Sequence, residues 1–115
     1  NKERIQKALE TIPGVRVVNE KPEAETSWFG VPTVCEDNNL KRSLVAYLEE
    51  NKIQTRNYFA GNILLHPGYR DLGKASDYPN ANQVLDKVFF LGCSPTINEK
   101  MLQYIEKVIG NYVSN

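Results

Sequence analysis

Residues 28–56, WFGVPTVCEDNNLKRSLVAYLEENKIQTR, decide the architecture. Trp28 to Val34 is aromatic and β-branched, which suits a strand. Pro32 lies inside that run. Proline cannot donate to a ladder, so the strand is expected at a sheet edge or bulged at that point. Glu36 to Asn39 is polar and reads as a turn carrying an asparagine cap. Leu40, Leu44 and Leu48 then recur on one face of a helix over Leu40 to Glu50, flanked by Val45 and Tyr47. Asn51 stops that helix, and Ile53 to Arg56 follows as a short strand. A strand, a helix and a second strand in so short a span imply a helix layer laid on a sheet.

Working outward, Ile5, Leu9 and Ile12 share the apolar face of a helix from Lys2 to Ile12, ended by Pro13-Gly14. Gly14 to Val18 alternates as a strand, and Glu20 to Thr26 is a polar loop. Asn57 to Tyr78 is long, rich in glycine and aromatics, and without a clean period. Unpatterned segments of that length inside a small domain usually carry function. Pro79 to Lys87 is a helix that starts on proline, and Val88 to Leu91 is a buried strand. Thr96-Ile97-Asn98-Glu99 has capping-box spacing. The helix it opens presents Met101, Leu102, Ile105, Val108 and Ile109. The expected fold is α+β, a two-layer α/β sandwich forming one domain over residues 1–115.

Composition narrows the function classes. Apolar residues make up 41% and charged residues 24%, with zero formal net charge. That is a globular balance with no electrostatic footprint for nucleic acid or an anionic membrane. No apolar run approaches a membrane-spanning length. Cys35 and Cys93 are far apart and lack a CxxC partner, so zinc and redox motifs are not supported. Two buried free thiols are the simplest reading, with a disulfide left open. The chain begins at Asn1 directly in a helical pattern. We therefore expect a piece cut from a longer polypeptide, with residues 1–13 as an interdomain helix whose Ile5 face docks on the missing part.

No nucleophile elbow, HExxH, P-loop or dinucleotide fingerprint is present. No catalytic, cofactor-binding or metal-ligating residue is expected in the chain. One loop is informative. Thr55-Arg56-Asn57-Tyr58-Phe59-Ala60-Gly61-Asn62 leads to His66-Pro67-Gly68-Tyr69. Arg56 offers a two-point clamp for phosphate. Asn62 and His66 can hydrogen-bond a sugar or diphosphate, and Phe59 or Trp28 can wall a pocket. Gly61 permits a positive φ. Such a set suits a phosphorylated, polar ligand. The alternative is a structural loop whose aromatics close the core and whose arginine pairs with a surface acid.

At these residues a resemblance enters. Ser27-Trp28-Phe29-Gly30-Val31-Pro32, the leucine-rich helix, Thr55-Arg56 with Phe59-Ala60-Gly61-Asn62, and Phe89-Phe90-Leu91-Gly92 with Pro95 and Met101 are similar to the C-terminal part of DegT-like sugar-nucleotide aminotransferases. The resemblance covers roughly residue 20 to the end. Within the family it points to the CDP-4-keto-6-deoxyglucose 3-dehydrase branch. His66, in contrast, is more like the aminotransferase members. The resemblance implies the small C-terminal domain of a fold-type-I enzyme, with a mostly antiparallel sheet and helices packed on one side. It implies pyridoxal or pyridoxamine phosphate (PLP or PMP) held by a large N-terminal domain, and a homodimeric cytoplasmic parent acting on a nucleotide sugar. The product chemistry would serve deoxysugar and lipopolysaccharide O-antigen biosynthesis. Some members carry a 2Fe-2S cluster in the large domain and work with a flavin reductase. By this reading the fragment alone is inactive. A sugar-nucleotide aminotransferase domain is the first alternative, and a stand-alone non-catalytic α+β binding module the second.

Overall fold

The computed structural model describes residues 1–59 and 61–114. In chain order the elements are α1 (Lys2–Leu9), β1 (Val15–Val17), β2 (Gly30–Cys35), α2 (Asn38–Glu50), β3 (Thr55–Asn57), α3 (Pro79–Lys87), β4 (Val88–Gly92) and α4 (Glu99–Ser114). Three short 3-10 turns occupy 63–65, 67–72 and 75–77. The four strands form one antiparallel sheet in the order β1-β2-β4-β3. This is the α+β architecture expected from the sequence.

Strand alternation divides the sheet into two faces. Val31, Thr33 and Cys35 of β2 and Phe89 and Leu91 of β4 are buried on the inner face. The same core contains Ile5 and Leu9 of α1, Leu44 and Leu48 of α2, and Leu102, Val108 and Ile109 of α4. Cys35 and Cys93 are free and buried, so no disulfide joins them. Burial pushes the Cys35 thiol up to about 11.

Several local expectations are corrected. The strand holding Pro32 is central, between β1 and β4. Val18 N–H donates to the Pro32 carbonyl at 3.0 Å, so the polar groups of Pro32 face β1. β1 has already ended at Val17, and the missing proline N–H falls where that ladder stops. Asp37, not an asparagine, caps α2, accepting from Leu40 N–H at 2.8 Å. The capping box at Thr96 does not form. Thr96 Oγ1 bonds the Ser94 hydroxyl, Asn98 Oδ1 accepts from Met101 N–H at 3.0 Å, and Glu99 pairs with Arg4. The third strand begins at Thr55, because Lys52 and Ile53 are spent closing the end of α2.

The open Ile5 face expected of the first helix is also overturned. Ile5 and Leu9 have no exposed surface. α1 packs on β1, β2 and α4 within the chain. Arg4 bridges to Glu99 and to Glu106, the latter at 2.6 Å. The large exposed apolar side chains lie elsewhere. Phe29 is 77% exposed, Phe59 70% and Leu72 72%.

Candidate functional site

The sheet face turned away from α1, α2 and α4 carries the candidate site. Phe89 and Phe90 are consecutive in β4, so when Phe89 turns into the core Phe90 must turn out. Opposite Phe90 stand Pro32 on β2 and Arg56 on β3. The Phe90 ring lies over Gly30, where a Cβ would come within 2.5 Å of it. Glycine at 30 therefore lets the ring settle on the backbone.

Around Phe90 the aromatics gather. Its ring centroid is 5.7 Å from Phe29, 6.0 Å from Phe59 and 6.0 Å from Tyr58. Phe29 and Phe59 stack at 6.5 Å with planes 20° apart. Phe59 adopts a φ of +53°, a left-handed conformation that L side chains other than Asn and Asp rarely take. Two grooves flank this cluster. One, of about 690 Å³, lies at the corner of β3, β4 and α4 and includes Arg56, Lys52 and Lys100. The other, of about 410 Å³, lies between Trp28, Tyr58 and α3 and includes Arg16 and Lys87. Five basic residues line the two grooves, and no acidic residue lines either of them or the aromatic cluster. In a chain with equal numbers of acids and bases, the linings of these two grooves are cationic.

The sequence-predicted residues divide. Arg56, Phe59 and Trp28 come together on this face. Arg56 is exposed on β3 and forms no ion pair among the described residues. Trp28 is half-buried under the Lys2 ammonium, 4.1 Å from its ring, and its carbonyl accepts the Cys93 S–H. Asn62 is not offered to a ligand. It is 3% exposed, donates to the Ala75 carbonyl and Asn82 Oδ1, and accepts from Leu64 N–H. Its polar groups fasten the loop, so the expectation that it faces a ligand is corrected. Gly61 has the positive φ expected, +68°. His66 is exposed, caps the 67–72 turn and lines neither groove. Ala60 lies outside the described residues.

Sequence reasoning passed over Phe90, Lys52 and Lys100. The Phe89-Phe90 pair was a readable signal, since alternation forces one ring outward. The lysines were not readable, because they come from the ends of two distant helices. Among the described residues no helix is long and apolar enough to cross a membrane, and no group of three His, Cys, Asp or Glu could hold a metal.

A four-stranded antiparallel sheet, backed by helices on one face and presenting aromatics and cations on the other, defines a small α+β domain with one open side. The chain belongs to the DegT/DnrJ/EryC1/StrS aminotransferase family, whose profile matches residues 1–109. It is 32% identical over 118 residues to a dTDP-4-dehydro-2,6-dideoxy-D-glucose 3-dehydratase of Saccharopolyspora spinosa, covering 99% of this chain and 26% of that protein. It is 35% identical over 97 residues to the lipopolysaccharide biosynthesis protein RfbH of Salmonella typhimurium, covering 75% of this chain and 22% of that protein. The chain thus spans about a quarter of the length of these curated relatives. Its fold matches S. venezuelae DesV, solved with a ketimine intermediate, at a TM-score of 0.84 and 16% identity over 99% of this chain and 30% of that one. It also matches the aminotransferase TlmJ of Streptoalloteichus hindustanus at 0.77 and 19% identity over 98% of this chain and 29% of that one.

Proposed function

We propose that this chain is the C-terminal domain of a PLP- or PMP-dependent 4-keto-6-deoxy sugar-nucleotide 3-dehydratase of deoxysugar and lipopolysaccharide biosynthesis. One observation carries the reading. A relative matched along 99% of the chain is a sugar-nucleotide 3-dehydratase. The face with Arg56 and stacked aromatics is chemically suited to a phosphorylated sugar ligand.

The residues present do not fit the cofactor itself. A Schiff-base lysine needs an amine enclosed and desolvated in a cavity, and the groove lysines Lys52 and Lys100 are exposed. The buried lysine among the described residues, Lys41, donates Nζ to the Leu85 carbonyl at 2.6 Å and lines none of the grooves. Cys35 and Cys93 are buried singly, and among the described residues no group of three His, Cys, Asp or Glu is placed to hold an iron–sulfur cluster. Cofactor, cluster, dimerisation and any flavin reductase contact therefore belong, in this proposal, to the rest of the protein, joined through residues 1–13.

This chain's own work is binding. The Arg56 guanidinium holds an anionic group of the substrate by charge-assisted hydrogen bonds. Phe29, Phe59 and Phe90 keep water from the adjoining surface. The second reading, an aminotransferase domain, is favoured by the fold shared with TlmJ. Product analysis separates the two. The full-length polypeptide, given PMP and a 4-keto-6-deoxy sugar nucleotide, should yield a product lacking the C3 hydroxyl. An amino sugar formed at the expense of glutamate would establish the second reading instead.

A further inference from the structure

The outer face of the sheet carries two glycines in register. Gly30 of β2 stands opposite Gly92 of β4, next along the same face from the Pro32–Phe90 pair. Residues two apart in a strand share a face, so both glycines belong to the side that presents Phe90 and Arg56. Neither has a positive φ, so backbone conformation requires glycine at neither position. Glycine in a strand forgoes packing and loses more chain freedom on folding than any other residue. Each of the two therefore needs a steric reason.

Gly30 has one within the chain. A Cβ there would come within 2.5 Å of the Phe90 ring and 3.1 Å of the Leu91 carbonyl oxygen. The ring thus leans from β4 onto β2, away from β3, where Arg56 is the direct partner of Phe90. Phe29 and Phe59 flank it there at centroid distances of 5.7 and 6.0 Å. A methyl group at 30 would press the ring back toward Arg56, because the other close atom is backbone and cannot swing aside.

Gly92 has no such reason. A Cβ there would meet nothing within 4 Å. Its neighbours Leu91 and Cys93 are buried on the opposite face, so position 92 opens only outward. There it lines the 690 Å³ groove together with Arg56 and Phe90. A bare strand position that no protein atom fills marks a place where a ligand approaches the backbone.

We propose that Gly92 is a specificity-determining position, keeping the floor beside Arg56 bare so that the part of the substrate next to its anionic group lies directly on the strand backbone. Gly30 is a positioning residue that acts through Phe90, holding the ring off that floor. The identity of the ligand rests on the proposed function; the shape of its seat rests on the two glycines.

The test uses the full-length polypeptide: kcat and KM for the 4-keto-6-deoxy sugar nucleotide, its Kd by calorimetry without PMP, and Tm. Gly92→Val adds carbons only to open space. It is expected to raise KM and Kd about tenfold or more, the discrimination that a methylene makes in a fitted pocket. Tm should hold or rise, since valine suits a strand. Gly92→Ala should show the same pattern with a smaller change. Gly30→Ala should raise KM only while the ring is present. In a Phe90→Leu background the same substitution should move KM by less than about twofold. A merely structural glycine would instead lower Tm in both backgrounds and leave KM alone. Parent-like KM and Kd in Gly92→Val overturn the proposal, as does a loss confined to kcat. An equal KM effect of Gly30→Ala in both backgrounds overturns the role given to Gly30. A parent that transfers an amine, with Gly92→Val still weakening binding, removes the proposed function alone. A parent that dehydrates, with Gly92→Val indistinguishable from it, removes this inference alone.

Discussion

The chain contains two regions that are held together by different forces. Residues 1–57 and 88–114 form a sheet backed by α1, α2 and α4, with an apolar interior reaching from Ile5 to Ile109. Residues 58–87 leave the sheet after β3 and return as α3. Among the described residues of that excursion, Asn62 alone is buried, and it is polar. Its hydrogen bonds to Ala75, Asn82 and Leu64 stand where a core would be. α2 then clamps the end of α3: Asn38 Nδ2 donates to the Asp86 carbonyl at 2.7 Å and Lys41 Nζ to the Leu85 carbonyl at 2.6 Å. Both satisfy last-turn carbonyls that a helix leaves without partners. Burial drives the first region; directional polar contacts set the shape of the second. The excursion meanwhile leaves Ile63, Leu65, Tyr69, Leu72 and Tyr78 exposed.

The contrast can be broken by mutation. Phe89→Ala removes a fully buried ring between the sheet and its helices. It should cost about 3–5 kcal/mol and unfold the whole chain at lower temperature, read by thermal denaturation. Asn62→Ala should act locally. Loss of its hydrogen bonds costs about 1–3 kcal/mol where the loop is fastened. Amide exchange should rise across 62–82 while the β2 and β4 amides keep their protection. Uniform loss of protection throughout the chain would show that the excursion is part of the main cooperative unit.

The smallest expected effect concerns the α1–α4 contact. The hydrogen bond from Arg4 holds the Glu99 carboxyl below the usual carboxylate range. A depressed folded-state value contributes stability that is present above the unfolded value, about 4.3, and is lost as pH falls through the folded value. Acid titration from that range downward should therefore loosen α1 from α4. The same limb should be shallower in Glu99→Gln, measured as Tm against pH. The pair is exposed, so the shift should be slight.

How much was legible follows from the same division. α3 is where the sequence places it, because proline at its start and the apolar strand run just after its end are local signals. α2 and α4 are legible from their leucine and isoleucine periodicity. Pro32 misled, because its consequence depends on where the neighbouring strand ends, which is a tertiary fact. The true caps, Asp37 and Asn98, each lie within two residues of the expected ones, where several polar residues compete. Asn62 was expected to face a ligand because an asparagine in a glycine-rich loop can serve a ligand or a loop equally well. Arg56, Phe59 and Trp28 lie on one face of the sheet, and their motifs made that grouping legible. Lys52 and Lys100 reach the same face from separate helices, and only the fold brings them there.

The central claim is that the cationic, aromatic sheet face serves the substrate while the helix-backed face serves stability. Arg56→Lys in the full-length polypeptide tests it most directly, with kcat/KM for the nucleotide sugar and Tm measured on the same preparation. Lysine keeps the charge and loses the planar two-point clamp. The account predicts a fall in kcat/KM worth about 1.5–3 kcal/mol, with Tm unchanged. A variant that melts early while its folded fraction keeps full activity would contradict it and assign Arg56 to the structure.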